Sequence, residues 1–194
     1  MGAWWIVDCD ESVNAIDSTW AFKCKCYPDG LISKARFCER GDQQLEGLDF
    51  FETYVPLVQL KKVRLMLVLE VLLGFKSNQG DFFAVFIHAD IHENEKFYIE
   101  MLRGFEQFSN NGRKKCFKLK NMLYGLLQIP RAFWQYMTKK LEKSGLKQSS
   151  FDPWTFVGEK VTCIVYVGNI IFWDKNEEDI HNLAMHLQYS GDYL

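Results

Sequence analysis

Cys163-Ile164-Val165-Tyr166-Val167-Gly168-Asn169-Ile170-Ile171-Phe172-Trp173 is an apolar run interrupted once, by Gly168 and Asn169. β-branched and aromatic residues favour extended backbone, and glycine and asparagine tolerate the positive φ of a tight turn. The run therefore reads as two strands, about 161–167 and 170–173, folded about Gly168-Asn169. A further strand is expected at about 154–158, and a last helix from about Glu177 to Gln188.

Working back towards the N-terminus, Phe133, Met137 and Leu141 recur at helical spacing beside Tyr136, with Lys139, Lys140, Glu142 and Lys143 as a polar face. That predicts a helix over 131–145, stopped by Gly145. Phe97–Met101 and Lys115–Leu119 read as strands. From Pro56 to about Leu73 the chain is apolar almost all round apart from Lys61, Lys62, Arg64 and Glu70, so a buried helix ending at Gly74 is expected. A short strand carrying Asp81 and Phe82 follows. Residues 18–38 read as a hairpin, because Trp20, Phe22, Cys24 and Cys26 alternate with other residues before the turn chemistry of Tyr27-Pro28-Asp29-Gly30. Helices on one face of a mostly antiparallel sheet make the fold class α+β.

The chain has 194 residues, 48% of them hydrophobic, enough for one good core or two small lobes. A net charge of −2 and a pI near 6.1 argue against general electrostatic binding of nucleic acid, which needs clustered cations. The local exception is Arg113, Lys114, Lys115, Lys118 and Lys120, with Phe117 interleaved, which could display charge to an RNA backbone or simply form a solvated edge. The longest apolar stretch, Leu65 to Phe75, is too short for a bilayer that needs about 20 helical residues, and no signal peptide is apparent. An intracellular protein, cytoplasmic or nuclear, with reduced thiols is expected. Cys24 and Cys26 have no second pair to complete a zinc spacing, and His88 and His92 have no third ligand, so both read as polar surface.

Tyr166-Val167-Gly168-Asn169 resembles the Tyr-Val-Asp-Asp turn of copia-type retrotransposon reverse transcriptases, and other blocks follow that family in order. Ser18-Thr19-Trp20-Ala21-Phe22-Lys23, Asp29-Gly30 and Lys34-Ala35-Arg36 are similar to its fingers hairpin, continued by Gln43, Gly47, Glu52-Thr53 and Pro56. Gln79-Gly80-Asp81 with Phe86, Tyr98 and Gly104-Phe105 resembles the segment of its first catalytic aspartate. Leu123-Tyr124-Gly125-Leu126 with Gln128, Pro130-Arg131 and Trp134 is the most specific block. The resemblance covers about Trp5 to Leu187, nearly the whole chain.

It implies a right-hand polymerase arrangement within a single reverse-transcriptase-like domain over 1–194: fingers at about 1–75 and 105–130, palm at about 76–104 and 131–194. The palm would be an antiparallel sheet with helices on one face. Most of the thumb and the connection and RNase H regions would fall outside the chain.

The ancestral reaction is nucleotidyl transfer, joining a primer 3′-hydroxyl to a deoxynucleoside triphosphate on a primed RNA or DNA template. Two Mg²⁺ ions roughly 4 Å apart stabilise the attacking and leaving oxygens. The family holds them with a strand aspartate and the aspartate pair of the turn. Here Asp81 keeps its carboxylate and Phe82 would lend a backbone carbonyl, but Gly168 has no side chain and Asn169 only a neutral amide. Such a set is expected not to retain Mg²⁺ stably, at a cost of several kcal/mol in transition-state binding. Asp174 lies five residues beyond Asn169, roughly 16 Å at about 3.3 Å per residue, and cannot substitute.

By the same resemblance, Lys34 and Arg36 would reach the triphosphate, Phe86 would stand against the sugar 2′ position, and Gln128 would contact nucleotide and template. Two departures weaken this inheritance. The hairpin is shorter than the family's between Ile32 and Lys34, and Leu127 stands where a lysine is usual. Three functional readings result: a catalytically inactive reverse transcriptase fragment, a non-enzymatic module binding RNA or a protein, and a decayed transposon reading frame without a selected role.

Overall fold

The computed structural model describes residues 3–10, 13–27, 30–81, 91, 95–166 and 168–189, with backbone alone at 25–27, 30–33, 188 and 189. In chain order the early strands are β1 (Trp4–Asp8), β2 (Ala15–Ile16), β3 (Ser18–Tyr27) and β4 (Gly30–Glu39). Helix α1 (Leu60–Leu73) precedes β5 (Lys76–Asp81), β6 (Tyr98–Glu100) and β7 (Lys115–Leu119). Helix α2 (Ile129–Lys143) leads to β8 (Lys147–Gln148), β9 (Thr155–Val157), β10 (Thr162–Tyr166), β11 (Asn169–Asp174) and helix α3 (Glu177–Tyr189). The chain is α+β and divides into two compact units, Met1–Thr53 with Phe86–Ala132, and Tyr54–Val85 with Phe133–Leu194.

In the first unit β1, β7, β6 and β2 form a sheet in that order, and β3 and β4 form a separate ribbon. β1, which the sequence reading leaves unassigned, pairs antiparallel with β7 from Trp4↔Leu119 to Asp8↔Lys115. Its inward phase contributes Trp4, whose ring lies 5.7 Å from Phe37 and 5.2 Å from Phe117. Each tilted aromatic pair adds roughly 0.5–1.5 kcal/mol beyond its buried area. The core beneath is built of Phe97, Ile99, Leu119, Met122, Leu123, Leu126 and Ile129. Phe117, which the sequence interleaves with the basic residues, packs in this aromatic group.

Gly125 is required by close approach. Its φ is +115°, and a Cβ there would strike the backbone of Glu39, whose N–H donates to the Tyr124 carbonyl at 2.8 Å. Beside it, Gln44 Nε2 donates to Gln128 Oε1 at 3.0 Å, and Gln44 Oε1 accepts from the Leu127 N–H at 2.8 Å.

The second unit holds an antiparallel sheet of order β5-β11-β10-β9-β8. Its centre is the apolar hairpin: Cys163, Ile164, Val165, Ile170, Phe172 and Trp173 are all buried. Phe133, Met137 and Leu141, the stripe read from helical spacing, are buried on α2. Ile180 and Leu187, one heptad apart on α3, are buried too.

Helix α1 departs from expectation: it runs apolar all round, yet none of its residues is buried. Only the stripe Lys62, Val63, Met66, Leu69 and Glu70 is half-covered, because a helix laid on one surface shields one side only. Glu70 anchors that side, accepting hydrogen bonds from Ser77 Oγ at 2.8 Å and Trp173 Nε1 at 2.9 Å. Gly74 closes the helix in the left-handed conformation, φ +68°.

Candidate active site

The register of β11 against β5 builds the site. Asn169 lies opposite Asp81, and Tyr166 opposite Asn169, so Asn169 is the first residue of β11. Asn169, expected from sequence as a turn residue, is thus already in the strand. Residues directly opposite in an antiparallel pair project to the same face with Cα atoms about 4.5–5.5 Å apart. Asp81, Gly168 and Asn169 are therefore brought together, with Asp81 exposed and the other two half-buried.

Gln79, two residues before Asp81 on β5, shares that face and donates from Nε2 to Asn169 Oδ1 at 3.1 Å. The amide oxygen of Asn169, which could have served beside Asp81, is thus engaged in a hydrogen bond. Sequence reading quotes Gln79 only as part of a motif; its period-2 relation to Asp81 was the available signal for this contact.

Asp174 stands at the other end of β11, opposite Lys76, buried and accepting from the Lys175 N–H. It takes no part in the site. Next to Asn169 the same face carries a cavity of about 550 Å³, walled by Val58, Leu60, Val63, Ile164 and Ile171 and edged by Tyr166 and Gln79. Among the described residues no group of three or more His, Cys, Asp or Glu side chains converges as a metal cluster would. One exposed carboxylate with an engaged amide does not fit a pair of divalent ions.

The other expected residues belong to the first unit. Lys34 and Arg36 share one face of β4; Lys34 is exposed opposite Lys23, and the Arg36 guanidinium lies 5.7 Å from the centre of the Tyr124 ring. Gln128 is buried with Gln44 as its partner. Phe82 and Phe86 lie outside the described residues, as do His88 and His92. The basic cluster is sorted by the strand. Lys114 pairs with Glu100 at 2.9 Å, Lys115 stands opposite Asp8, Arg113 is exposed, and Lys118 and Lys120 lie over Trp5.

Two residues of the motif blocks have structural partners: Arg131 ion-pairs with Glu52 at 2.6 Å, and Gln43 Nε2 donates to Asp17 Oδ2 at 3.0 Å. Glu39, which no motif marks, is buried with no hydrogen-bond partner among the described residues for either carboxyl oxygen, and desolvation pushes its pKa up to about 8. Burial likewise pushes the Cys116 thiol up to about 12, with Cys9 beside it.

The family model for reverse transcriptase (RNA-dependent DNA polymerase) matches residues 1–192. The chain is 27% identical over 198 aligned residues to the retrovirus-related Pol polyprotein from transposon TNT 1-94 of Nicotiana tabacum, covering 98% of this chain and 15% of that protein. It is 28% identical to the Pol polyprotein from transposon RE1 of Arabidopsis thaliana over 88% of this chain and 12% of that protein. The corresponding polyprotein from transposon RE2 is 28% identical over 80% of this chain and 11% of its own length. The chain thus spans only a small part of the relatives it matches. Asp81 facing the remnant turn, and a family match that runs almost from end to end, place this chain in the reverse transcriptase family, among the copia-type Pol sequences of retrotransposons.

Proposed function

We propose that the chain is a catalytically silent reverse transcriptase fold, in which the first unit corresponds to fingers and the second to palm. The observation that carries this reading is the corner where Asp81 faces Asn169 while Gln79 occupies the Asn169 oxygen. Nucleotidyl transfer needs closely held negative charge to fix two cations, and this corner supplies one carboxylate. Because the residues present do not fit the ion pair, no catalytic step runs through it.

What supports an inherited capacity to hold substrate is different in kind. Lys34 remains exposed and available to the phosphates of a nucleotide or a primer–template, and Arg36, half-buried with its guanidinium over Tyr124, shares its face of the ribbon. This favours a second reading, a module that holds nucleic acid without extending it.

Primer extension on a poly-ribonucleotide template tests the proposal, with Mg²⁺ and with Mn²⁺, for the unmodified chain and for Gly168→Asp with Asn169→Asp. No extension by the unmodified chain is expected, and extension by the double variant would assign the silence to the missing carboxylates. Extension by the unmodified chain would overturn the reading. Silence from both folded proteins would locate the defect beyond this corner.

A further inference from the structure

Trp5, Lys118 and Tyr98 stand side by side on β1, β7 and β6, on the face of the first unit's sheet that points away from its core. Trp5 is 52% exposed. Its neighbour Trp4 points to the opposite face, where it packs against Phe37 and Phe117. Over the indole lie two ammonium groups, Lys120 at 4.4 Å and Lys118 at 5.9 Å from the ring centre. Among the described residues no carboxylate ion-pairs with either, whereas neighbouring Lys114 is held by Glu100.

We propose that Trp5, Lys118 and Lys120 form a binding site for single-stranded nucleic acid, the indole stacking on a base and the two ammoniums taking the flanking phosphates. The inference rests on the family reading above but names residues of the first unit that reading does not use. Three features favour this partner. The ring offers an accessible π-face that any base can use. Two unpaired cations provide the charge complementarity that a phosphate chain requires, in a protein whose net charge of −2 would otherwise repel it. The contact holding each lysine over an exposed ring is weak, so a phosphate can draw the ammonium aside while a base takes its place. Neither ring nor ammonium reads a 2′-hydroxyl, so RNA and DNA should bind alike.

The test is fluorescence anisotropy of labelled 12-nucleotide oligo-uridine and oligo-deoxythymidine, titrated with the full chain across a range of salt. Trp5→Ala is expected to weaken binding roughly five- to a hundredfold, the range of one lost base stack, while Trp5→Phe keeps most of the affinity. Lys118→Gln with Lys120→Gln should lower the slope of log affinity against log salt by about 1.4, two single-strand phosphate contacts. These lysines are only half-buried, so the double variant tests the site without disturbing the core. Absence of binding by the unmodified chain, or binding by Trp5→Ala and by the lysine variant unchanged from it, would overturn the proposal. So would equal losses in Trp5→Phe and Trp5→Ala, which would mark a packing role. Primer extension by the unmodified chain would sink the metal-corner reading and leave this surface standing, whereas unchanged oligonucleotide binding in the variants would do the reverse.

Discussion

The β10–β11 hairpin and helix α1 are the two most apolar stretches of the chain, and they meet opposite fates. In the hairpin, Val165 and Ile170, Cys163 and Phe172 are cross-strand partners buried within a sheet. In α1, Val71 is 82% and Leu72 is 72% exposed. A strand in the middle of a sheet acquires neighbours on both edges from its hydrogen-bond ladder, whereas a helix satisfies its own backbone and needs other elements to cover each side. Apolar sequence is thus a capacity for burial that only surrounding surfaces realise.

Four changes probe that contrast, in descending order of effect. Phe172→Ala removes a ring from the covered region and should destabilise the second unit by about 3–5 kcal/mol, read as a lower denaturant midpoint. A midpoint within error of the unmodified protein would show that the hairpin is no better packed than the helix.

Glu39 supplies the reverse case, a polar group buried where apolar ones belong. Its folded pKa near 8 exceeds the ordinary carboxyl value of 4.5, so the folded state binds more protons between those limits. The contribution of Glu39 to stability should be largest below pH 4.5, be lost progressively as pH rises towards 8, and level off above it. Glu39→Gln should flatten that dependence in melts across the range; an equal slope in the variant would place the titration elsewhere.

Trp173→Phe cuts the hydrogen bond that ties the buried hairpin to Glu70 on α1, and a loss of about 1–3 kcal/mol is expected. In a double-mutant cycle with Glu70→Gln, losses that add in full would mean the bond contributes no coupling. Smallest of all, Val71→Lys with Leu72→Lys should change stability by less than about 0.5 kcal/mol while raising the concentration at which the chain self-associates, seen by light scattering. A large loss of stability would mean that these side chains are covered after all.

Period and turn chemistry made much of the fold legible. The Phe133, Met137 and Leu141 stripe is buried as its spacing implies, and Lys115–Leu119 is a strand with the expected bounds. β1 was missed because Trp4–Asp8 is a short apolar run without alternation, and its partner β7 is more than a hundred residues away in sequence. The site was legible as a set of motif positions. What Asn169 does there was not, because Gln79 reaches it only through the β5–β11 register.

By itself, then, the sequence determined the family, the α+β class, and the replacement of the turn's two carboxylates by Gly168 and Asn169, since these depend on residue identity and local order. Tertiary structure alone decided that Gln79 engages the Asn169 oxygen, that Glu39 is buried with no hydrogen-bond partner among the described residues, that no residue of α1 is fully buried, and that Lys118 and Lys120 converge on Trp5. Each of those depends on which strand lies beside which, and strand register couples residues whose separation along the chain carries no local signal.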